Sequence, residues 1–161
     1  MLEVRSPYTL DRDKVGQAQG IDAHDVVSLA ISQYEKDLAF LQRMFDDASW
    51  TLYKAGTYRD GMAELRRDRL HVTLCECHLP DGSWKDVLSH LAPWPERPRL
   101  IVISKDANEK LWSELLAMGG FDVLATPLRE AEAAFTIGSA WLDWQNEHQS
   151  AKKPASMTVS R

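Results

Sequence analysis

The stretch His71–Trp84, HVTLCECHLPDGSW, contains the transition on which the fold turns. Residues 71–77 form a run of β-branched and apolar side chains too short for a helix, which predicts a strand. Pro80, Asp81 and Gly82 then supply a turn. The following SWKDVLSHL sets Trp84, Val87, Leu88 and Leu91 on one side of a helix. A strand passing through a tight turn into an amphipathic helix is half of a crossover unit, and the same unit recurs on both sides of it.

Upstream, DVVSLAIS (25–32) reads as a strand buried on both faces. EKDLAFLQRMFDDA (35–48) follows as a helix, with Leu38, Leu41, Met44, Phe45 and Ala48 at helical spacing. WTLYKA (50–55) predicts a second strand, which Gly56 breaks before the helix YRDGMAELRRDR (58–69), turned inward by Met62 and Leu65. Downstream, Pro93, Pro95 and Pro98 stiffen the connection to the strand LIVIS (100–104). The helix NEKLWSELLAMGG (108–120) ends on the Gly119–Gly120 pair. FDVLA (121–125) is the fifth strand, and Thr126 and Pro127 lead into a helical pattern from about 129 to 146. Five strand–helix units with connections this short imply an open, doubly wound α/β sheet, parallel and covered by helices on both faces. Five are too few for a (β/α)8 barrel. No strand is followed by GxGxxG or GxxxxGK[ST], so neither dinucleotide nor P-loop phosphate binding is expected.

The chain of 161 residues has room for one domain, expected over 25–146, with an N-terminal extension over 1–24 and a polar, mobile C-terminal tail over 147–161. Its 44% hydrophobic and 27% charged residues are those of an ordinary globular protein. No run reaches the roughly 20 apolar residues of a membrane span and the N-terminus lacks an apolar signal core, so a cytoplasmic location without a membrane partner is expected. A net charge of −5 argues against a nucleic-acid partner, and the local basic runs ELRRDR and AKKPASMTVSR read as solvated surface. Cys75 and Cys77 share a strand face at a spacing poorly suited to a disulfide and read as reduced core thiols. With His78 they lack the second ligand pair of a zinc site, so no metal or cofactor is expected. His24, His71, His90 and His148 are dispersed, and no nucleophile, base and orienting acid fall together. An enzyme is not expected.

Three blocks carry a family likeness. ECHLPDGSW (76–84) resembles the phosphorylation loop of response-regulator receiver domains, in which an aspartate is followed by two residues and LPDG. LIVISKDA (100–107) resembles that family's fourth strand with its terminal Ser or Thr, and GGFDVLATPL (119–128) resembles the segment where a lysine precedes a proline. The resemblance covers about residues 25–146. It implies a flavodoxin-like (βα)5 sheet with strand order 2-1-3-4-5 and a place in two-component, phosphorelay signal transduction.

The departures shape the functional expectation. Where the family has two adjacent acids after the first strand, this chain has Ser32 and Gln33; at the phosphoacceptor position it has Glu76; and in place of the lysine before Pro127 it has Thr126. Ser104 matches the switch hydroxyl, while the aromatic switch position falls on Val123. Two neutral side chains in place of two anions deprive magnesium of the carboxylates it prefers. The resemblance therefore implies a stand-alone, phosphorylation-independent pseudo-receiver acting through a protein partner, whether a signalling kinase, an effector or a second copy. Glu76 then reads either as a fixed anion standing in part for an aspartyl phosphate or as a strand-end carboxylate bonded to loop amides or to Ser104. Two alternatives stay open: a working phosphoacceptor using Glu76 or Asp81, with Glu35 and Asp37 shifting to help hold the metal, and a small-molecule sensor in the vacated acidic pocket. The family's output face implies a homodimer or partner interface on the fourth helix, fifth strand and fifth helix. Here it would include Trp112, Leu116, Phe135, Trp141 and Trp144, one of the last two being expected in the core.

Overall fold

In the computed structural model, which describes residues 26–66 and 69–152 and side chains as far as His148, strand and helix alternate five times. The elements are β1 (Val27–Ile31), α1 (Glu35–Ala48), β2 (Thr51–Ala55), α2 (Tyr58–Leu65), β3 (Val72–Glu76), α3 (Trp84–Leu91), β4 (Arg99–Ser104), α4 (Glu109–Ala117), β5 (Asp122–Ala125) and α5 (Glu130–Lys152). A two-residue antiparallel ladder pairs His78 with Ser83 and Leu79 with Gly82 between β3 and α3. The N-terminal extension, Arg67 of the basic run and the tail beyond Lys152 lie outside the described residues.

The five strands form one parallel sheet in the order β2-β1-β3-β4-β5, as the resemblance implied. Alternation along each strand sends one set of side chains to each face. Ala30, Val72, Leu74, Ile101, Ile103 and Leu124 pack under α1 and α5, while Leu29, Ile31, Cys75, Leu100 and Val102 pack under α2, α3 and α4. Both faces are covered, so the strands read as nearly continuous apolar runs. α2 lies close to β1 because residue 61 is glycine: a Cβ there would stand 2.6 Å from Ile31 Cδ1. α4 ends where expected, with Gly119 at φ 99°, a left-handed conformation that glycine adopts without steric cost.

The strand ends differ from the apolar runs: Val26, Trp50, His71 and Phe121 lie just before the ladders begin, Ser32 and Cys77 just after they end, and β4 begins one residue earlier than expected, at Arg99. The larger difference is at the end of the chain. α5 continues past Asn146 to Lys152, so the first residues assigned to the polar tail are helical. One contact distant in sequence and one within the helix bear on this extra length. Arg99, at the start of β4, bonds Asp143 Oδ2 at 2.6 Å and pairs with Glu147, and Trp144 stacks on His148 with ring centroids 3.6 Å apart. No helix among the described residues is long and apolar enough to cross a membrane.

Candidate functional site at the carboxyl end of the sheet

In open parallel sheets the loops leaving the strand ends surround a crevice beside the point where strand order reverses. Here β1 and β3 are neighbours, and pairing sets Ile31 beside Cys75, Glu76 beside Ile103 and Ser104 beside Ala125. A cavity of about 630 Å³ opens above these ends. Tyr34, Lys36, Asp37 and Phe40 line it from α1 and the turn before it, and Glu76, Cys77 and His78 from the end of β3. Ser104, Lys105 and Asp106 follow β4, and Thr126, Pro127 and Leu128 follow β5, with the Thr126–Pro127 peptide cis.

Glu76 is the least compensated group in this cavity. It is 6% exposed, and its Oε2 is sealed from solvent without a hydrogen-bond partner. Burial, reinforced by the negative charge of Asp37, pushes its carboxyl up to about 7. Of the bonds left open for Glu76, none to Ser104 is present; the Ser104 hydroxyl accepts the Asp106 amide at 3.0 Å. Burial also raises the Asp37 carboxyl. Of the two acids considered as helpers, Asp37 thus stands beside Glu76, whereas Glu35 is exposed and outside the lining.

The positions after β1 turn away from the cavity. Ser32 is buried and its Oγ accepts the Tyr34 amide at 3.0 Å in a local turn. Gln33 is exposed, and neither residue lines the cavity. The donors present do not suit a hard dication, which favours several converging carboxylate oxygens. Among the described residues, no group of three His, Cys, Asp or Glu side chains is arranged to hold a metal ion. Thr126 and Pro127 reach the cavity, whereas Val123 is half-buried against the α2–α4 side.

Asp81 is not a merely solvated turn residue. Its two carboxylate oxygens accept the amides of Tyr58 at 2.7 Å and Arg59 at 3.0 Å, tying the loop after β3 to the first turn of α2. Those bonds, the Tyr58 amide first, hold its carboxyl below the usual carboxylate range. Gly82 permits the approach, since a Cβ there would stand 3.3 Å from Tyr58 Cβ. Ser83 and Asp86 close a reciprocal cap on α3. Cys75 and Cys77 are free thiols, and burial raises both.

Two of the expected interface residues belong to the core. Trp141 and Trp144 are 4% and 6% exposed, Trp141 within the cluster under α1 and α5 and Trp144 between the rings of His71 and His148. Their spacing of three places both on one side of α5, where Trp141 joins the core cluster and Trp144 meets His71, the residue before the central strand β3. Trp112, Leu116 and Phe135 remain half-buried. Sequence reasoning missed Tyr34, Phe40 and Leu128 as cavity walls. For Phe40 a signal existed, as an aromatic residue off the buried stripe of α1 and near a strand end.

No protein-family model matches the sequence, and no curated protein matches it. Solved structures do resemble it. One is the signal receiver domain of an HD domain-containing protein from Pseudomonas fluorescens, with TM-score 0.70 and 19% identity over 77% of this chain and 92% of that one. Another is a CheY-like response regulator receiver domain protein from Methanospirillum hungatei, with TM-score 0.68 and 15% identity over 76% and 98% of the two chains. A third is a beryllofluoride-activated NtrC4 receiver domain dimer, with TM-score 0.68 and 17% identity over 73% and 98%. The chain has the flavodoxin-like α/β fold that these receiver domains share, and at such identities the likeness establishes the fold alone.

Proposed function

We propose that this protein is a receiver-fold module of two-component signal transduction that works in the cytoplasm through protein–protein contacts, without phosphorylation. The observation that carries the reading is the environment of Glu76: a nearly buried carboxyl at the cavity, with one oxygen sealed and unpartnered and no ion pair among the described residues. Phosphoryl transfer depends on neutralising charge that spreads over the transferred group. The groups that would do so are replaced by Ser32, Gln33 and Thr126, and the Ser32 hydroxyl is already engaged by the Tyr34 amide. A nucleophile that holds its proton near neutral pH is a further obstacle.

Asp81, the other candidate acceptor, is committed to the start of α2. The partner is a protein: a signalling kinase, an effector or a second copy. It meets the face of α4, β5 and α5, where Trp112, Leu116 and Phe135 keep part of their apolar surface exposed. Incubation with acetyl phosphate and magnesium followed by intact-mass measurement tests the reading. An unchanged mass is expected; a phosphoryl adduct mapped to Glu76 or Asp81 would overturn it.

A further inference from the structure

The cavity described above has two parts that ask for different things from a ligand. Its walls are aromatic and apolar, with Tyr34 and Phe40 on one side and Pro127 and Leu128 on the other. Its floor is acidic, with Glu76 buried and Asp37 half-buried beside it. Neither acid has an ion-pair partner among the described residues, and Glu76 Oε2 has no hydrogen bond. At about 630 Å³ the space lies within the range of sites that enclose small organic molecules.

We propose that this cavity binds a small organic ammonium compound with a flat apolar body, its charged nitrogen directed at Glu76 and Asp37 and its body held between Tyr34, Phe40 and Leu128. The inference rests on the reading that Glu76 does not carry a phosphoryl group. The sign of the ligand charge follows from depth. Lys36 and Lys105 on the rim are exposed, so their charges are screened by water and salt. Glu76 lies in a medium of low polarity, where an arriving ammonium group favours the ionised carboxylate over the protonated one and the ion pair so formed is little screened. The aromatic walls add an attraction for ammonium groups that they do not offer to carboxylates. A bare metal ion would leave the apolar walls unoccupied and would find too few oxygen ligands.

The test uses the full-length protein and benzylamine as probe, followed through backbone amide resonances, with benzyl alcohol and benzoate as controls of the same size. Benzylamine is expected to shift the amides of Tyr34, Asp37, Phe40 and Glu76 saturably and to bind about tenfold more tightly than either control. Glu76→Gln should weaken benzylamine by about tenfold, and Tyr34→Ala by about two- to fivefold. Tyr34 is 52% exposed, so its replacement leaves the fold intact and decides the matter if Glu76→Gln does not fold. Absence of these shifts, preference for benzoate, or full affinity in a folded variant would overturn the inference. No shift together with no acetyl phosphate uptake sinks this inference alone. Phosphoryl uptake at Glu76 sinks the functional reading beneath it.

Discussion

The two ends of the same sheet treat charge in opposite ways. At the amino end, Arg99 bonds Asp143 and pairs with Glu147, and the guanidinium holds the Glu147 carboxyl below its ordinary range. His71 Nδ1 accepts the Val27 amide at 3.0 Å, and the Trp144 ring lies between His71 and His148. At the carboxyl end, Glu76 has Asp37 beside it and no ion-pair partner among the described residues, Lys36 and Lys105 standing exposed on the cavity rim, and its carboxyl rises to about 7. Asp122, near the amino end, is also raised, to about 6, yet its Oδ1 accepts the Val123 amide. Side chains at one end fasten the last helix to the sheet. Those at the other leave a cavity with an uncompensated acid, as expected where binding rather than stability shaped the residues.

Trp144→Ala tests the fastening role with the largest effect. The ring is 6% exposed and contacts two imidazoles, so its removal empties a large volume that α5 cannot refill without leaving the sheet. A loss of about 3–5 kcal/mol is expected, read from the urea midpoint. A loss below about 1 kcal/mol would return Trp144 to the surface and would break the contrast at its amino-end side.

Glu76→Gln tests the other side through pH. The folded protein holds a proton on Glu76 to about 7, while the unfolded chain releases it near 4.5, so over that interval the folded state binds more protons. The contribution is fully present below the unfolded value and is lost as pH rises through the folded one; stability therefore falls between pH 5 and 8. A difference of about 2–3 kcal/mol is expected for the wild-type protein, with a flatter profile for Glu76→Gln and greater stability of the variant at pH 8. Asp122 and Asp37, shifted in the same direction by burial, account for the slope that remains. Parallel profiles for the two proteins would mean that Glu76 has a counter-charge in solution, and the difference between the ends would vanish.

Much of this contrast was legible in the sequence as position, and little of it as environment. The apolar stripe of residues 35–48 and the Gly119–Gly120 stop placed α1 and the end of α4 closely, because both signals are local. The block from Glu76 to Trp84 placed the strand end, the turn and the capped helix for the same reason. The end of α5 was not legible, since its anchor Arg99 stands 44 residues before Asp143 and no local pattern reports that pairing. Local spacing marks one of Trp141 and Trp144 as core, and that both are core depends on partners such as His71 that are distant in sequence. The isolation of Glu76 depends on what fails to reach it, and a sequence gives no sign of that. Asp37 and Phe40, three apart on one side of α1, were the nearest available clue to the cavity.

Asp81 sharpens the comparison with the smallest effect. It is an exposed acid near the carboxyl end, close in sequence to Glu76, yet its condition is the opposite one, since both oxygens accept backbone amides and its carboxyl lies below the usual range. Asp81→Asn keeps the shape but offers a single carbonyl oxygen, so the Tyr58 or the Arg59 amide loses its partner. A group with a depressed folded-state value gives stability that is present above the unfolded value and lost as pH falls through the folded one. The variant should therefore unfold at lower urea than the wild-type protein at pH 7, by less than either change above, with the two midpoints converging in strong acid. Hydrogen exchange at the Tyr58 and Arg59 amides should quicken at neutral pH. Unchanged exchange would mean that the loop does not hold α2 and that Asp81 is free to turn toward the cavity. The carboxyl end would then contain a second available acid, and the isolation of Glu76 would no longer distinguish it.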